Sequence, residues 1–262
     1  MAKKDDIGGL LGAWPYDPDD YLREIVGLDG KPKLQVRFPM GIEQYELDGR
    51  PDGLRPMGYE SYLEYFIQKR ERATAAAAAG GENAFRLTPE DCELLRDEAM
   101  IYYYRYDLMY MRKDYERVLR DTARNLLVFD FIAHFAEQIE DRESMEIYRP
   151  FALRLHFAAR GLLNARKNRH EEGLRQLRAG ISRIEGLDDI DDPKWRRECK
   201  GATAFLRRLE RRLERTKPLS PRQRLQRELK KAVDKEDYEA AAKIRDRLAG
   251  LDHKEGSAGA SV

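Results

Sequence analysis

The sequence predicts a mostly α-helical chain that opens with a small antiparallel β-meander and closes with a two-helix hairpin. Three observations carry this expectation. Asp-Gly turn signals crowd the chain up to about Arg70, apolar residues recur at helical spacing from Leu87 to about Arg215, and a capping box at Ser220 introduces a last pair of amphipathic segments.

The meander comes first. Asp29-Gly30, Asp48-Gly49 and Asp52-Gly53, with Pro32, Pro39, Pro51 and Pro56 nearby, are residue pairs that tolerate the positive φ of tight turns. Between them Lys33–Phe38 alternates, with Leu34, Val36 and Phe38 on one face. Ile42–Leu47 sets Tyr45 and Leu47 two apart, and Leu22–Leu28 is β-branched at Ile25 and Val26. A helix from Tyr59 to about Arg72 closes this domain, 1–72. The two Asp-Gly pairs of Asp48–Gly53 either build consecutive turns or leave Arg50 facing a partner. Residues 73–83, alanines followed by Gly80-Gly81, are expected to form a linker.

From 84 to 215 the period is helical. Thr88-Pro89-Glu90-Asp91 reads as an N-cap, a first-position proline and first-turn acids, opening a helix to about Met111. A second starts at Lys113-Asp114-Tyr115 and presents Val118, Leu119, Ala123, Leu126, Leu127 and Phe131 as its apolar face. Further helices are expected over Met145–Arg166, His170–Ile184 and Trp195–Arg215. Leu108–Lys113 can be laid on Leu162–Lys167. After a two-residue insertion Asp114-Tyr115-Glu116 falls on His170-Glu171-Glu172, and Ala123 on Ala179. The block fits either tetratricopeptide-like helix pairs or an irregular bundle.

Composition narrows the function classes. The 262 residues carry 49 Lys+Arg against 48 Asp+Glu, a net charge of +1, so no whole-molecule field favours nucleic acid or an anionic membrane. No apolar run approaches the ~18 residues of a membrane span, and the opening MAKKDDIGG holds no apolar stretch of the secretory kind. Two cysteines, Cys92 and Cys199, make no disulfide framework, which places the expectation in a reducing, cytoplasmic compartment.

The last segment is the most specific. After a linker at 216–220, Ser220-Pro221-Arg222-Gln223 forms a capping box. Leu225, Leu229, Ala232 and Val233 make one apolar stripe. Lys235-Glu236-Asp237 turns the chain, and Tyr238, Ala241, Ala242, Ile244 or Arg245, Leu248 and Leu251 line a second helix. Adjacent alanines would let the helices approach closely, and Tyr238 would fill the space beside the turn. The stretch Asp237-Tyr238-Glu239-Ala240-Ala241-Ala242-Lys243-Ile244-Arg245-Asp246-Arg247-Leu248 resembles the hallmark of the UVR motif, the hairpin of the UvrB and UvrC excinuclease subunits. The same motif is found in the ClpC unfoldase and the McsA modulator. The resemblance covers 221–251 and implies a non-catalytic hairpin that joins proteins. Leu225, Leu229, Ala232, Tyr238, Glu239, Ala241, Ala242, Arg245, Asp246, Leu248 and Leu251 are its packing and partner-binding residues. A disordered tail is expected at 252–262. No G-x-x-x-x-G-K-[ST] loop accompanies the hairpin, so the motor domains of the motif's best-known owners are not expected here.

Other candidates are sparse. His134, His156, His170 and His253 show no i, i+4 pair, and no metal or cofactor is expected. Cys92 lies in the first turn of a helix, where its pKa could be lowered, but has no catalytic partner in sequence. Asp17, Asp19 and Asp20 lack the glycine and glutamate of a calcium loop. The tyrosines Tyr102, Tyr103, Tyr104, Tyr106 and Tyr110 cover several faces of one helix and suit either packing or a peptide groove. Lys194–Leu251 holds 19 basic against 9 acidic residues, with Arg207, Arg208, Arg211, Arg212 and Arg215 opposite an apolar stripe. The expected function is therefore that of a non-enzymatic adaptor held to a protein partner through the hairpin. The partner would be another UVR protein, a Clp-type system or a second copy as a homodimer. The alternative is a DNA-binding accessory protein of excision repair that uses the basic segment.

Overall fold

The computed structural model describes residues 6–80, 85–218 and 221–258, the side chains at 221–223 and 251–258 excepted. Ser220 and the tail beyond Ala258 lie outside the described residues. The chain divides into two units, 1–211 and 212–262. Among the described residues no helix is long and apolar enough to cross a membrane.

The first unit opens with a short helix, α1 (Gly8–Ala13), which the sequence pattern does not announce. A meander in strand order β1-β2-β3 follows: β1 (Leu22–Val26), β2 (Pro32–Phe38) and β3 (Gly41–Glu46). Leu22 pairs with Val36, and Leu34 with Tyr45. The buried face of β2 holds Leu34 and Val36, whereas Phe38, expected beside them, is exposed at the strand's end. The opposite face buries Lys33 and Arg37, each held by polar partners. Lys33 pairs with Asp29 and Glu46, and Arg37 donates to the Trp14 carbonyl at 2.7 Å. Those bonds are what let two cations turn away from water.

Helix α2 (Tyr62–Ala78) runs well past Arg72, so most of the expected linker is helical. Alanine has the highest helix propensity and continues the helix until Gly80, at φ 95, ends it. Then come α3 (Pro89–Met111), α4 (Tyr115–Phe135), α5 (Ile139–Glu143), α6 (Arg149–Arg166), α7 (His170–Glu185) and α8 (Pro193–Thr216). The short α5 was not expected. Thr88 and Asp91 form a reciprocal capping box at the start of α3.

Helix α4 packs between α3 and α6, and α6 against α7. Gly161 and Gly180 bring α6 and α7 together. A Cβ on Gly180 would lie 2.5 Å from Phe157 Cβ, and one on Gly161 would lie 2.7 Å from Leu177 Cδ2. Two of the apolar clusters reach from the meander and α2 to α6. Phe66, Leu95, Phe129 and Ile132 centre one, and Leu34, Leu47, Tyr106, Met109 and Leu155 join the meander to the helices in the other.

The apolar face expected for α4 is rotated. Ala123 and Leu127 are exposed, while Asp121, Thr122 and Asn125 are buried. Polar pairing inside the unit explains this. Asp121 binds Arg105, Asn125 donates to the Ala99 carbonyl at 2.8 Å, and Arg124 reaches Glu98. Glu98 also receives Arg50 at 2.6 Å and the backbone N–H groups of Tyr62 and Leu63 at the start of α2. Arg50 is thus an internal clamp rather than a partner contact. Its loop makes two turns, with Gly49 and Gly53 at φ 69 and 73.

The helix pairs α3–α4 and α6–α7 share one connection. Lys113 and Asn168 take left-handed conformations at φ 61 and 58. The N–H groups of Asp114 and Arg169 donate back to Met109 and Asn164, each at 2.9 Å, and those of Lys113 and Asn168 to Tyr110 and Ala165 at 3.0 Å. This is the Schellman closure of a helix end. It sets Lys113 against Asn168 and Tyr115 against His170 with no insertion, so Ala123 answers to Arg178 and not to Ala179.

The second unit contains the end of α8, then α9 (Pro221–Asp234) and α10 (Tyr238–Ala258) packed on one another as a hairpin. Helix α10 continues through the start of the expected tail. Lys254 and Glu255 are good helix formers, and no proline interrupts the stretch.

Candidate interaction surfaces

The α9–α10 turn repeats the closure found in the first unit. Glu236 is left-handed at φ 57. Its N–H donates to the Val233 carbonyl, and that of Asp237 to the Ala232 carbonyl, both at 2.9 Å. The Asp237 carboxylate then caps α10 by accepting the Ala240 N–H at 3.0 Å, as Asp114 caps α4 by accepting that of Arg117 at 3.2 Å. Both turns read Asp-Tyr-Glu.

Inside the hairpin, Ala232 and Ala241 are buried, and Leu225, Leu229, Ile244 and Leu248 are half-buried around them. The small alanines allow the close approach that the sequence implies. Leu251 falls among the side chains outside the described residues. Three expected packing residues are not in the seam. Val233 is 47% and Tyr238 70% exposed, and Ala242 is exposed as well. At ~100° per residue, Ala241, Ile244 and Leu248 cluster on one line, and Tyr238, Ala242, Arg245 and Ala249 lie about a quarter-turn round from it. The double alanine therefore serves two faces, one alanine inward and one outward. Glu239 and Asp246 are also exposed, with Glu239 paired to Lys243 at 2.8 Å.

The corresponding tyrosine of the first unit has a different fate. Tyr115 is 8% exposed, and the guanidinium of Arg166 lies 4.4 Å from its ring centroid while donating to the Lys113 carbonyl at 2.8 Å. The same turn position is covered by a neighbouring helix end in one hairpin and open in the other.

On α8, Arg207, Arg208, Arg211, Arg212 and Arg215 are all exposed. Arg207 pairs with Glu185 at 2.6 Å, and with Lys200, Arg208 and Arg211 it borders a shallow depression of about 390 Å³. The opposite face of α8 buries Ala202 and Leu206.

The remaining candidates have structural roles. Burial raises the Cys92 thiol to about 11, overriding its first-turn position, and burial with Asp189 and Glu198 nearby does the same for Cys199. Burial with Arg160 nearby lowers His156 to about 4, where its Nδ1 lies 2.9 Å from Thr122 Oγ1. His134 rests edge-on against Phe135, His170 begins α7, and the His253 side chain lies outside the described residues. Asp17 accepts the Asp19 N–H in a local turn. Of the α3 tyrosines, Tyr102 and Tyr106 are buried and Tyr104 is half exposed. Sequence reasoning did not foresee that Arg154, Lys194 and Arg197, from two other helices, share a groove with Tyr103 and Tyr104. No local spacing relates residues so far apart.

Residues 222–254 match the UVR family model, described as the UvrB/uvrC motif, which coincides with the hairpin built by α9 and α10. No curated protein and no solved structure matches the chain.

Proposed function

We propose that this chain is a non-catalytic adaptor that docks a protein partner on the outer stripe of its C-terminal hairpin, in a cytoplasmic setting. One observation carries the proposal: Tyr238 stands uncovered at a turn whose internal counterpart, Tyr115, is capped by Arg166. A large aromatic ring open to water beside Ala242 and Arg245 is stabilised when a partner covers it. The fitting partner is a second helical hairpin, from another UVR-type protein, a Clp-type assembly or a second copy of this chain, with a cation placed over Tyr238. The pairs α3–α4 and α6–α7 then serve as a tetratricopeptide-like scaffold.

The test is capture of partners, and sedimentation for self-association, by the full chain and by Tyr238→Ser and Ala242→Glu. Both substitutions lie outside the seam, so helix content should stay constant while binding is lost. Retention of the same partners after deletion of 220–262 would refute the adaptor reading.

The exposed arginines of α8 favour a second function, contact with nucleic acid in repair. Five arginines on duplex phosphates would give a log–log salt slope of about −4 to −5. The acidic excess outside Lys194–Leu251 opposes it, so binding at ~0.15 M salt should be weak. Tight, sequence-independent binding that flattens when the five become glutamine would reverse this order.

A further inference from the structure

The first unit contains a groove of about 840 Å³ that neither the hairpin nor the basic face of α8 explains. Its volume falls within the ~300–1,000 Å³ of ligand sites. Tyr103 and Tyr104 come from α3, Tyr148 from a 3₁₀ turn, Arg154 from α6, and Lys194 and Arg197 from α8. Tyr104 and Tyr148 are exposed, as are Lys194 and Arg197.

Arg154 is the unusual member. Its guanidinium lies 4.2 Å from the Phe151 ring centroid and 5.2 Å from that of Phe205, so the side chain is held in place by aromatic contacts. Its Nε is buried without a hydrogen-bond partner. Asp107 and Glu198 are close enough to act on it electrostatically, yet neither accepts a bond from that nitrogen. A buried donor left unsatisfied is destabilising, and a carboxylate bound at the guanidinium would offset that cost. Guanidinium groups present a planar fork that matches carboxylates in two-bond geometry.

The geometry points to this groove as a second docking site, independent of the hairpin, for an acidic peptide segment whose carboxylates meet Arg154, Lys194 and Arg197 and whose apolar side chains lie against the tyrosines. Among the described residues that line the groove, three cations face one carboxylate, Glu198, and with Asp107 counted beside Arg154 the balance stays positive, which gives the required charge complementarity. Glu198 also favours peptide over nucleic acid. A peptide can set an uncharged residue beside that carboxylate, whereas every nucleotide carries a charged phosphate. The groove's donors are side chains, with no glycine-rich loop of backbone N–H groups to cradle phosphate.

Fluorescence anisotropy on the full chain tests this with three labelled probes: an octapeptide of alternating glutamate and leucine, the same peptide with glutamine for glutamate, and a thymidine oligonucleotide. The glutamate peptide should bind, weaken as salt rises, and lose about tenfold or more in affinity to Lys194→Gln/Arg197→Gln. Both residues are exposed, so this double variant should fold. Arg154→Gln should weaken binding further, and Tyr238→Ala should leave it unchanged. Equal binding of the glutamine peptide, tighter binding of the oligonucleotide, no effect of Lys194→Gln/Arg197→Gln, or no binding below ~1 mM would each overturn the proposal.

Discussion

Arg105 on α3 donates to both carboxylate oxygens of Asp121 on α4, at 2.7 and 2.9 Å, and the two side chains are 0% and 1% exposed. The pair ties the helices to the meander, because Arg105 also donates to the Glu46 carbonyl at 2.8 Å. Arg120 bridges Asp121 to Asp48 and to the Leu47 carbonyl. Removing one member of such a pair strands a charge in the interior, which costs more than the pair is worth.

Asp121→Ala should therefore destabilise the chain by about 3–5 kcal/mol. Arg105→Met/Asp121→Leu should cost less than that single change, because no uncompensated charge remains. Urea titration followed by circular dichroism compares the two. A double variant weaker than the single would mean that the pair contributes more than the penalty of stranding its partner.

His156 gives the first unit a specific acid sensitivity. Its folded pKa of about 4 lies below the usual 6.5, chiefly through burial. Between those values the unfolded chain binds the proton and the folded chain does not. Stability is therefore fully present above pH ~6.5 and declines as pH falls toward ~4, by at most about 3 kcal/mol from this group. His156→Gln should flatten the stability profile across that window relative to the parent chain. Identical profiles would remove His156 as the cause.

Three glycines test helix packing by sign. Gly180→Ala places a methyl against Phe157, and Gly161→Ala against Leu177. Overpacking of about 1–3 kcal/mol should outweigh the ~0.5–1 kcal/mol that alanine gains over glycine within a helix. Gly201, on α8, has nothing within 4 Å of its Cβ position, so Gly201→Ala should raise the thermal midpoint.

Thiol labelling should separate the native from the unfolded chain. Cys92 is fully buried, and both thiols are pushed up to about 11. At pH ~8 the folded protein should leave Cys92 unmodified and label Cys199 slowly, whereas denaturant should expose both. Fast modification of native Cys92, read by peptide mass spectrometry, would contradict its burial.

What the sequence made legible follows the rules that act locally. The Asp-Gly turns, the Thr88 capping box and the helical period located the meander and the starts of α3, α4 and α7 closely. The alanine run was not legible as helix because two glycines follow it, yet alanine's own propensity carries α2 to Ala78. The apolar face of α4 misled because Asp121 and Asn125 are internal, and only partners distant in sequence make that affordable. The hairpin was legible as a motif, while the facing of its residues was not. Tyr238 looks like a core residue in sequence, and only the helix phase set by the Glu236 turn shows it outside.

That phase makes the hairpin prediction sharp, because two adjacent alanines should respond in opposite ways. Ala241 is fully buried against the seam with Ala232, so Ala241→Glu forces a carboxylate between the helices. An unpaired buried charge costs several kcal/mol, more than a lone two-helix hairpin has to lose. That variant should unfold α9 and α10 and lower the helical circular dichroism signal while leaving the first unit intact. Ala242 lies outside the seam, and glutamate is a good helix former at an exposed position. Ala242→Glu should keep the hairpin's helical signal and lose only the partner. If Ala242→Glu unfolds the hairpin and Ala241→Glu does not, the helix phase is reversed and Tyr238 belongs to the core. If both keep their helices and their partners, the outer stripe is not the docking surface.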